Sequence, residues 1–293
     1  VEGLEHGHAV SDDHRRRRRL AGGGRVSGLA ATLSVLCAAV LGVMVATWLL
    51  SLRLRDASIV DVAWGLGFVL VAWIGFWLGP PPSPPRLLLL VLVSVWGGRL
   101  ALYIARRNAG AGEDYRYAAM RRRRGAAFGW WSLVFVFLLQ GLLILIISLP
   151  LAVALSSAAT SWRPAHLVGS ILWGVGFVFE AAGDYQLARF KADPANRGRV
   201  MRRGLWRYTR HPNYFGDALV WWGYYAFAWA VPGGAWTVIS PLLMTFLLLK
   251  VSGVALTERS IAERRPAYRD YVATTSAFIP WPPRRRSDGA DST

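Results

Sequence analysis

Cysteine is almost missing: Cys37 is the only one in 293 residues. No intrachain disulfide and no cysteine metal cluster can therefore form. Cys37 lies in an apolar run and reads as an inert packing residue. Lysine is nearly as rare, with Lys191 and Lys250 the only two among 34 basic side chains. Acidic groups are outnumbered two to one, 17 against 34, which leaves a formal net charge of +17. The chain also lacks a set of His, Asp and Glu at metal-ligand spacing, a serine triad, an internal repeat and a glycine-rich phosphate loop. Gly22-Gly23-Gly24 follows no strand and is no dinucleotide fingerprint. These absences exclude a disulfide scaffold, a metal-dependent hydrolase and the common soluble nucleotide-binding folds.

What is abundant is apolar and aromatic. The chain is 54% hydrophobic, holds 15 Trp and has a mean hydropathy of +0.32. Several stretches reach the roughly 20 apolar residues needed to cross a bilayer. The fold class is therefore all-α: a polytopic membrane bundle of about seven transmembrane helices, expected at 28–52, 57–79, 86–105, 130–155, 166–188, 213–231 and 234–257. In a soluble protein a charge of +17 would suggest nucleic acid, but here the cations sit between spans, so membrane orientation accounts for them and no nucleic-acid partner is expected. Residues 1–25, with Arg15 to Arg19, read as a disordered basic tail, 26–283 as one transmembrane domain and 284–293 as a second disordered tail. The first apolar run is too long for a signal-peptide core and is expected to be retained. The basic clusters at 106–124, 191–210 and 259–269 put those loops and the C-terminus on the cytoplasmic side.

Polar side chains within these apolar runs mark where chemistry is expected, because ionisable groups in a membrane are costly unless they pair or bind something. Asp61 and Trp64 share a face at the start of the second span. Trp96 and Arg99 lie in the third, beside Gly97 and Gly98, whose small size suggests a close helix approach. Glu113 and Asp114 open an amphipathic segment that ends in Arg121 to Arg124. It reads either as an interfacial helix on anionic headgroups or as a loop that turns a carboxylate toward a substrate. Glu180 and Asp184 stand four residues apart on the fifth span and need partners. The most informative stretch is Gly204 to Asp217. It gathers Arg207, Arg210, His211, Asn213 and Asp217 between two apolar runs, with Pro212 suited to the first turn of the following helix. Asn213 and Asp217 then share one face. Arginine forks suit phosphate or carboxylate, so an anionic-cofactor site is favoured over a loop that only orients the chain. Glu258, Tyr268, Tyr271 and Ile279-Pro280 follow the last span, in a tail regular enough in aromatics to dock back on the same face.

Asp184-Tyr185-Gln186, Lys191, Gly204-Leu205-Trp206, Asn213 to Asp217 and the spacing from Tyr271 to Pro280 resemble the C-terminal domain of steroid 5-alpha-reductases. The likeness is strongest to bacterial membrane proteins of unassigned substrate that carry this domain. It implies a membrane reductase of the bacterial inner (plasma) membrane that binds NADPH at the cytoplasmic side. It further implies reduction of a C=C conjugated to a carbonyl in a steroid- or lipid-like molecule. On this resemblance Asp184, Lys191, Asn213 and Asp217 match cofactor-binding positions, Arg199 and Arg207 are nearby candidates and Arg210 joins them on the phosphates, while His211 and Glu258, also candidates for the cofactor, belong with Arg210 to the alternative pattern given next. The group that polarises the substrate oxygen comes from Asp61, Trp64, Trp96 or Glu113, with hydrophobic substrate and membrane lipids as partners. A second family is similar too. Isoprenylcysteine carboxyl and phospholipid methyltransferases share a Tyr-x-Arg-His-Pro stretch, a later Glu, a Tyr-x-x-Tyr and an Ile-Pro. Tyr208 to Pro212, Glu258, Tyr268 to Tyr271 and Ile279-Pro280 fit that pattern, and it implies S-adenosylmethionine instead. A non-catalytic lipid-binding protein is the third reading.

Overall fold

The apolar runs fold as helices, because backbone polar groups in lipid must be satisfied within the segment itself. A computed structural model describes residues 5–159, 161–251, 253, 254, 258 and 268–284, with side chains from residue 28 onward. Among the described residues there is no strand, only an isolated bridge between Thr209 and Ser276. The long helices are α1 (Glu5–Leu54), α2 (Ile59–Leu78), α3 (Pro84–Asn108), α8 (Pro164–Ala192) and α9 (Pro212–Trp229). Between α3 and α8 lie α4 (Tyr115–Arg124), α5 (Phe128–Ser132), α6 (Leu139–Ile147) and α7 (Leu149–Leu155), with a π-helical turn at Leu133–Leu138 joining α5 to α6. After α9 come α10 (Ile239–Phe246), a π-helical turn at Leu247–Val251 and α11 (Tyr268–Thr274).

Five helical stretches among the described residues are long and apolar enough to cross a membrane: Gly28–Leu54, Ile59–Leu78, Pro84–Asn108, Tyr115–Ile147 and Pro164–Ala192. The sequence leads to an expectation of seven, and the difference lies at the C-terminal end. The expected sixth span is α9, whose 18 residues include Trp221, Trp222, Trp229, Tyr214, Tyr224 and Tyr225, all of middling hydropathy. The expected seventh is the shorter apolar stretch Ala235–Val251, and the rest of 234–257 lies largely outside the described residues. The expected fourth span, 130–155, is interrupted: α6 stops at Ile147 and α7 starts at Leu149, with Pro150 in its first turn. Proline lacks the N–H that an uninterrupted helix would need there. Helix α1 takes in residues 5–25, where the composition suggested a tail, although its apolar part begins at Gly28. The expected second tail, 284–293, lies outside the described residues except for Arg284.

The chain divides into two compact units. Unit 1 comprises 1–82, 93–148 and 155–158. Its core is set by Leu36, Val40, Met44 and Trp48, spaced every four residues along α1, and by Phe68, Val71 and Ala72 of α2. Gly65 of α2 and Gly97 of α3 let those helices touch at backbone distance: a Cβ at Gly65 would lie 2.4 Å from the Gly97 carbonyl oxygen. Gly98 has open space around it and takes no part. Small residues at such contacts are how helices associate in lipid, where burial of apolar surface drives little.

Unit 2 comprises 83–92, 149–154 and 159–293. It is organised by α8 and α9, which run antiparallel with Gly169 opposite Gly223 and Gly176 opposite Gly216. A Cβ at Gly176 would meet the Gly216 oxygen at 2.5 Å and the Val220 nitrogen at 2.8 Å. Trp221, Tyr224 and Phe227 of α9 are fully buried. The Tyr224 hydroxyl accepts from Trp173 Nε1 at 3.0 Å and donates to the Leu92 carbonyl at 3.3 Å.

Candidate functional site

In unit 2 the α8–α9 seam delivers a set of polar side chains to one end of the helix pair. Glu180 and Asp184, one turn apart on α8, are 3% and 5% exposed. Asn213 lies in the first turn of α9, where Pro212 opens the helix and His211 is the residue before it. Its Nδ2 donates to Asp184 Oδ1 at 3.1 Å, and its own Oδ1 is buried with no hydrogen-bond partner. A buried amide oxygen without a donor costs about 1–3 kcal/mol and marks a place where one is wanted. Gly183 permits the approach, since a Cβ there would lie 3.2 Å from the Asn213 nitrogen. Asp217 follows one turn later on α9. The preceding segment is tied to the end of α8. Trp206 Nε1 donates to the Gly183 carbonyl at 3.0 Å and the Leu205 N–H donates to Gln186 Oε1 at 3.0 Å. Gly204, at φ +60, turns the chain where a Cβ would strike the Gln186 side chain.

Arg210 and His211 are held by Glu258. The Arg210 guanidinium donates from Nε to Glu258 Oε1 at 2.7 Å and from Nη2 to Oε2 at 3.2 Å, and His211 Nε2 lies 3.2 Å from Oε1. Arg210 Nη1 donates to the Val272 carbonyl at 3.0 Å and also to that of Thr275. Arg210 is 7% exposed, so its forked donors are directed into the protein. Burial alone would raise the Glu258 carboxyl, but the hydrogen bonds from His211 and Arg210 and the Arg210 charge outweigh it and hold it below the usual carboxylate range. The tail docks on this cluster. The Arg210 N–H donates to the Ser276 carbonyl at 2.9 Å, Thr209 Oγ1 to Phe278 at 2.9 Å, and the Trp281 N–H to Tyr208 at 2.9 Å. The Tyr271 hydroxyl donates to the Trp206 carbonyl. Burial and the Glu258 charge push the Tyr268 hydroxyl up to about 12, and burial likewise raises that of Tyr271. A cavity of about 470 Å³ lies between Arg210, residues 272–277 and Trp281, Pro282 and Arg284. Lys191, in the last turn of α8, and Arg199 and Arg207, on the segment joining α8 to α9, are exposed.

In unit 1 the polar side chains form a second network. Asp61 Oδ2 pairs with Arg116 Nη2 at 2.7 Å, and Asp61 Oδ1 accepts from the Tyr117 hydroxyl at 2.7 Å. Gln140 Nε2 donates to the Tyr117 oxygen at 3.2 Å, and Trp64 Nε1 donates to Gln140 Oε1. Arg116 also bonds Asp114 at 2.9 Å, and Asp114 caps α4 by accepting from the Arg116 N–H. Glu113 accepts from the Ala57 N–H at 2.9 Å and from both arms of Arg121 at 2.8 and 2.9 Å. Burial opposes ionisation of Glu113 and Asp114. The bonds from Arg121 and Ala57 in the first case, and from Arg116 in the second, still hold both carboxyls below their ordinary values. Trp96 is fully buried with its ring centroid 5.8 Å from that of Phe68, which in turn lies 5.7 Å from Trp64. Arg99 lies 5.5 Å from the Tyr103 ring centroid.

Eight of the sequence-derived candidates fall into three groups, and Trp96, Glu113, Lys191, Arg199 and Arg207 lie outside them. Asp184 and Asn213 are hydrogen-bonded to each other, with Asp217 one turn further along α9. Arg210, His211 and Glu258 form one ion-pair cluster, and Asp61 and Trp64 belong to one hydrogen-bonded network with residues the sequence did not single out. Those residues are Arg116, Tyr117 and Gln140. Gln140 carried a signal, a lone amide inside an apolar run, which a membrane helix seldom keeps without a partner. Among the described residues no three His, Cys, Asp or Glu side chains are arranged to hold a metal ion.

An uncharacterized protein of Schizosaccharomyces pombe is 26% identical over 263 residues, covering 80% of this chain and 75% of that protein. The 3-oxo-5-alpha-steroid 4-dehydrogenase 1 of Bos taurus is 31% identical over 77 residues, 26% of this chain and 30% of the enzyme. The Homo sapiens enzyme of the same name is 32% identical over 72 residues, 25% of this chain and 28% of its own length. No solved structure matches. The model of the family described as protein of unknown function (DUF1295) matches residues 47–275, spanning α2 through α11, and the chain belongs to that family.

Proposed function

We propose that the protein is a membrane reductase that uses NADPH to saturate a C=C conjugated to a carbonyl in a hydrophobic, steroid- or lipid-like substrate. The observation that carries this reading is the Asn213 side chain. Its amide nitrogen is committed to Asp184, and its buried oxygen still calls for an N–H or O–H donor. The carboxamide and ribose hydroxyls of a dinucleotide are such donors. Asn213, Asp184 and Asp217 would hold that end of the cofactor, and the exposed Lys191, Arg199 and Arg207 would meet its phosphates. Arg210, committed to Glu258 and the tail, takes a positioning role: with His211 it fixes the entry to α9 and so the place of Asn213. When bound, the dinucleotide supplies the hydride. Within unit 1, taken by itself, the Tyr117 phenol and the Asp61 carboxylate share a hydrogen bond and are chemically able to hold a proton. Trp64 and Trp96 carry only an indole N–H, which donates a hydrogen bond without releasing its proton. Glu113 is tied to Arg121. The partial likeness to 3-oxo-5-alpha-steroid 4-dehydrogenases supports the same reaction class.

A methyl transfer from S-adenosylmethionine is the second reading, favoured by one observation: Arg210, His211 and Glu258 come together. These are the residues on which the resemblance to the methyltransferases rests. The test is isotope transfer in proteoliposomes, with NADPH deuterated at the transferring position and a panel of hydrophobic enones. Deuterium in the saturated product, lost in Asn213→Ala, is the expected outcome. Unlabelled substrate throughout, together with methylated product when S-adenosylmethionine is supplied, would replace the reductase reading by the second one.

A further inference from the structure

Helix α4 divides its arginines between two faces. Arg116 and Arg121 turn inward, onto Asp61 and Asp114 and onto Glu113. At 100° per residue Arg122 and Arg123 fall on the side away from the buried Tyr117, and both are exposed. Among the described residues neither makes an ion pair. Arg124 is exposed as well, with its guanidinium carbon 4.7 Å from the Trp131 ring centroid. Gly125, at φ +54, ends the helix, and three residues later the chain enters the apolar stretch that begins at Phe128. Trp130, in the first turn of that stretch, is 73% exposed. Exposed cations beside an exposed Trp at the start of a membrane span are the combination found at the headgroup level of a bilayer.

We propose that the exposed C-terminal end of α4, where Arg122 and Arg123 face away from Tyr117 and Arg124 is the last helical residue, binds the phosphate groups of anionic phospholipids together with Trp130. This binding holds α4 at the interface, and with it Arg116 and Tyr117 on Asp61. A loop serving only to orient the chain needs charge and no order. Here the cations stand on a capped helix whose opposite face is latched by three carboxylates, so they present phosphate with a fixed array. Charge complementarity selects the occupant: a neutral headgroup offers no net charge to three arginines, and each cation near an anionic surface favours binding by about fivefold. The inference is independent of the reductase reading, since it concerns lipid and not the reacting molecule.

The experiment reconstitutes the full chain in nanodiscs of phosphatidylcholine with phosphatidylglycerol and counts the lipids retained in native mass spectrometry. The wild type is expected to enrich phosphatidylglycerol, and Arg122→Gln/Arg123→Gln/Arg124→Gln to lose that preference by up to roughly a hundredfold. A second triple variant, Arg189→Gln/Arg197→Gln/Arg203→Gln, removes equal charge elsewhere and is expected to keep it. Equal loss in both variants, or no enrichment by the wild type, would overturn the site. Should the first variant fold poorly, the single variants Arg122→Gln and Arg123→Gln decide: each is expected to weaken the preference by about fivefold, and an unchanged preference in both would overturn the site. Hydrogen exchange across residues 113–124 tests the coupling. It should slow in phosphatidylglycerol relative to phosphatidylcholine, and equal rates would remove the second half of the proposal.

Discussion

Glu258→Gln is the perturbation whose consequence is best defined by the structure. It keeps the shape of the side chain and removes the charge that faces Arg210 and His211. Arg210 Nε and Nη2 sit 2.7 and 3.2 Å from the two carboxylate oxygens, and the pair's side chains are 8% and 22% exposed. Stripping one partner from a buried pair costs about 3–5 kcal/mol because a charge is left behind. The glutamine oxygen still accepts one bond and Glu258 is partly solvated, so about 2–3 kcal/mol is the fitting figure. That corresponds to a drop of about 4–6 °C in melting temperature for a chain of this size. The loss should be local first, because Arg210 also anchors the carbonyls of Val272 and Thr275 and its N–H holds Ser276. Limited proteolysis at pH 7 should cut the tail around residues 272–281 faster in the variant. The pH dependence has a definite sign. The Glu258 carboxyl is held below its ordinary value in the fold, so its contribution is present at neutral pH and is lost as pH falls through and below the ordinary range near 4.5. Wild-type protection should fade in that acid range while Glu258→Gln stays flat. Wild-type melting and cleavage by Glu258→Gln at pH 7 would refute the clamp.

Further substitutions address each unit by itself. Gly176→Ala drives a Cβ to 2.5 Å from the Gly216 oxygen and should cost about 1–3 kcal/mol as α8 and α9 are forced apart. Gly174→Ala, with nothing within 4 Å, should be neutral or gain up to about 1 kcal/mol of helix propensity, and detergent melting curves compare the two. In unit 1, Arg121→Leu leaves Glu113 with only the Ala57 N–H and should destabilise by about 1–3 kcal/mol. Adding Glu113→Gln should recover much of that, and a double-mutant cycle of melting temperatures that shows simple additivity would contradict the pairing.

What the sequence made legible was whatever depends on local pattern. Apolar length found α1, α2, α3 and α8, Pro212 found the start of α9, and paired glycines signalled close contacts at Gly97. The α8–α9 seam was harder to see, since Gly169, Gly176 and Gly183 gain meaning only opposite Gly223, Gly216 and Asn213. Hydropathy alone also says little about α9, where Trp and Tyr replace aliphatic side chains. Partner choice was the other hidden quantity. Arg210 and Arg207 look alike in sequence, yet one is buried on Glu258 and the tail carbonyls while the other is exposed, a difference made by residues about 50 to 65 positions away. Asp61 was recognisable as a carboxylate out of place, but Tyr117 and Gln140 as its neighbours depend on how three separate helices meet. The break before α7 was written in Pro150 and obscured by the apolar residues on both sides.

The central claim is a dinucleotide site at the start of α9, and ligand-induced stabilisation tests it most directly. A ligand that binds only the folded state raises the melting temperature by mass action, by about 2.7 kcal/mol at a hundredfold excess over its Kd. Purified protein in detergent should be stabilised by NADPH and not by S-adenosylmethionine. Asn213→Ala should stay folded and gain nothing from NADPH. Stabilisation by S-adenosylmethionine alone, or an undiminished NADPH shift in Asn213→Ala, would contradict the account.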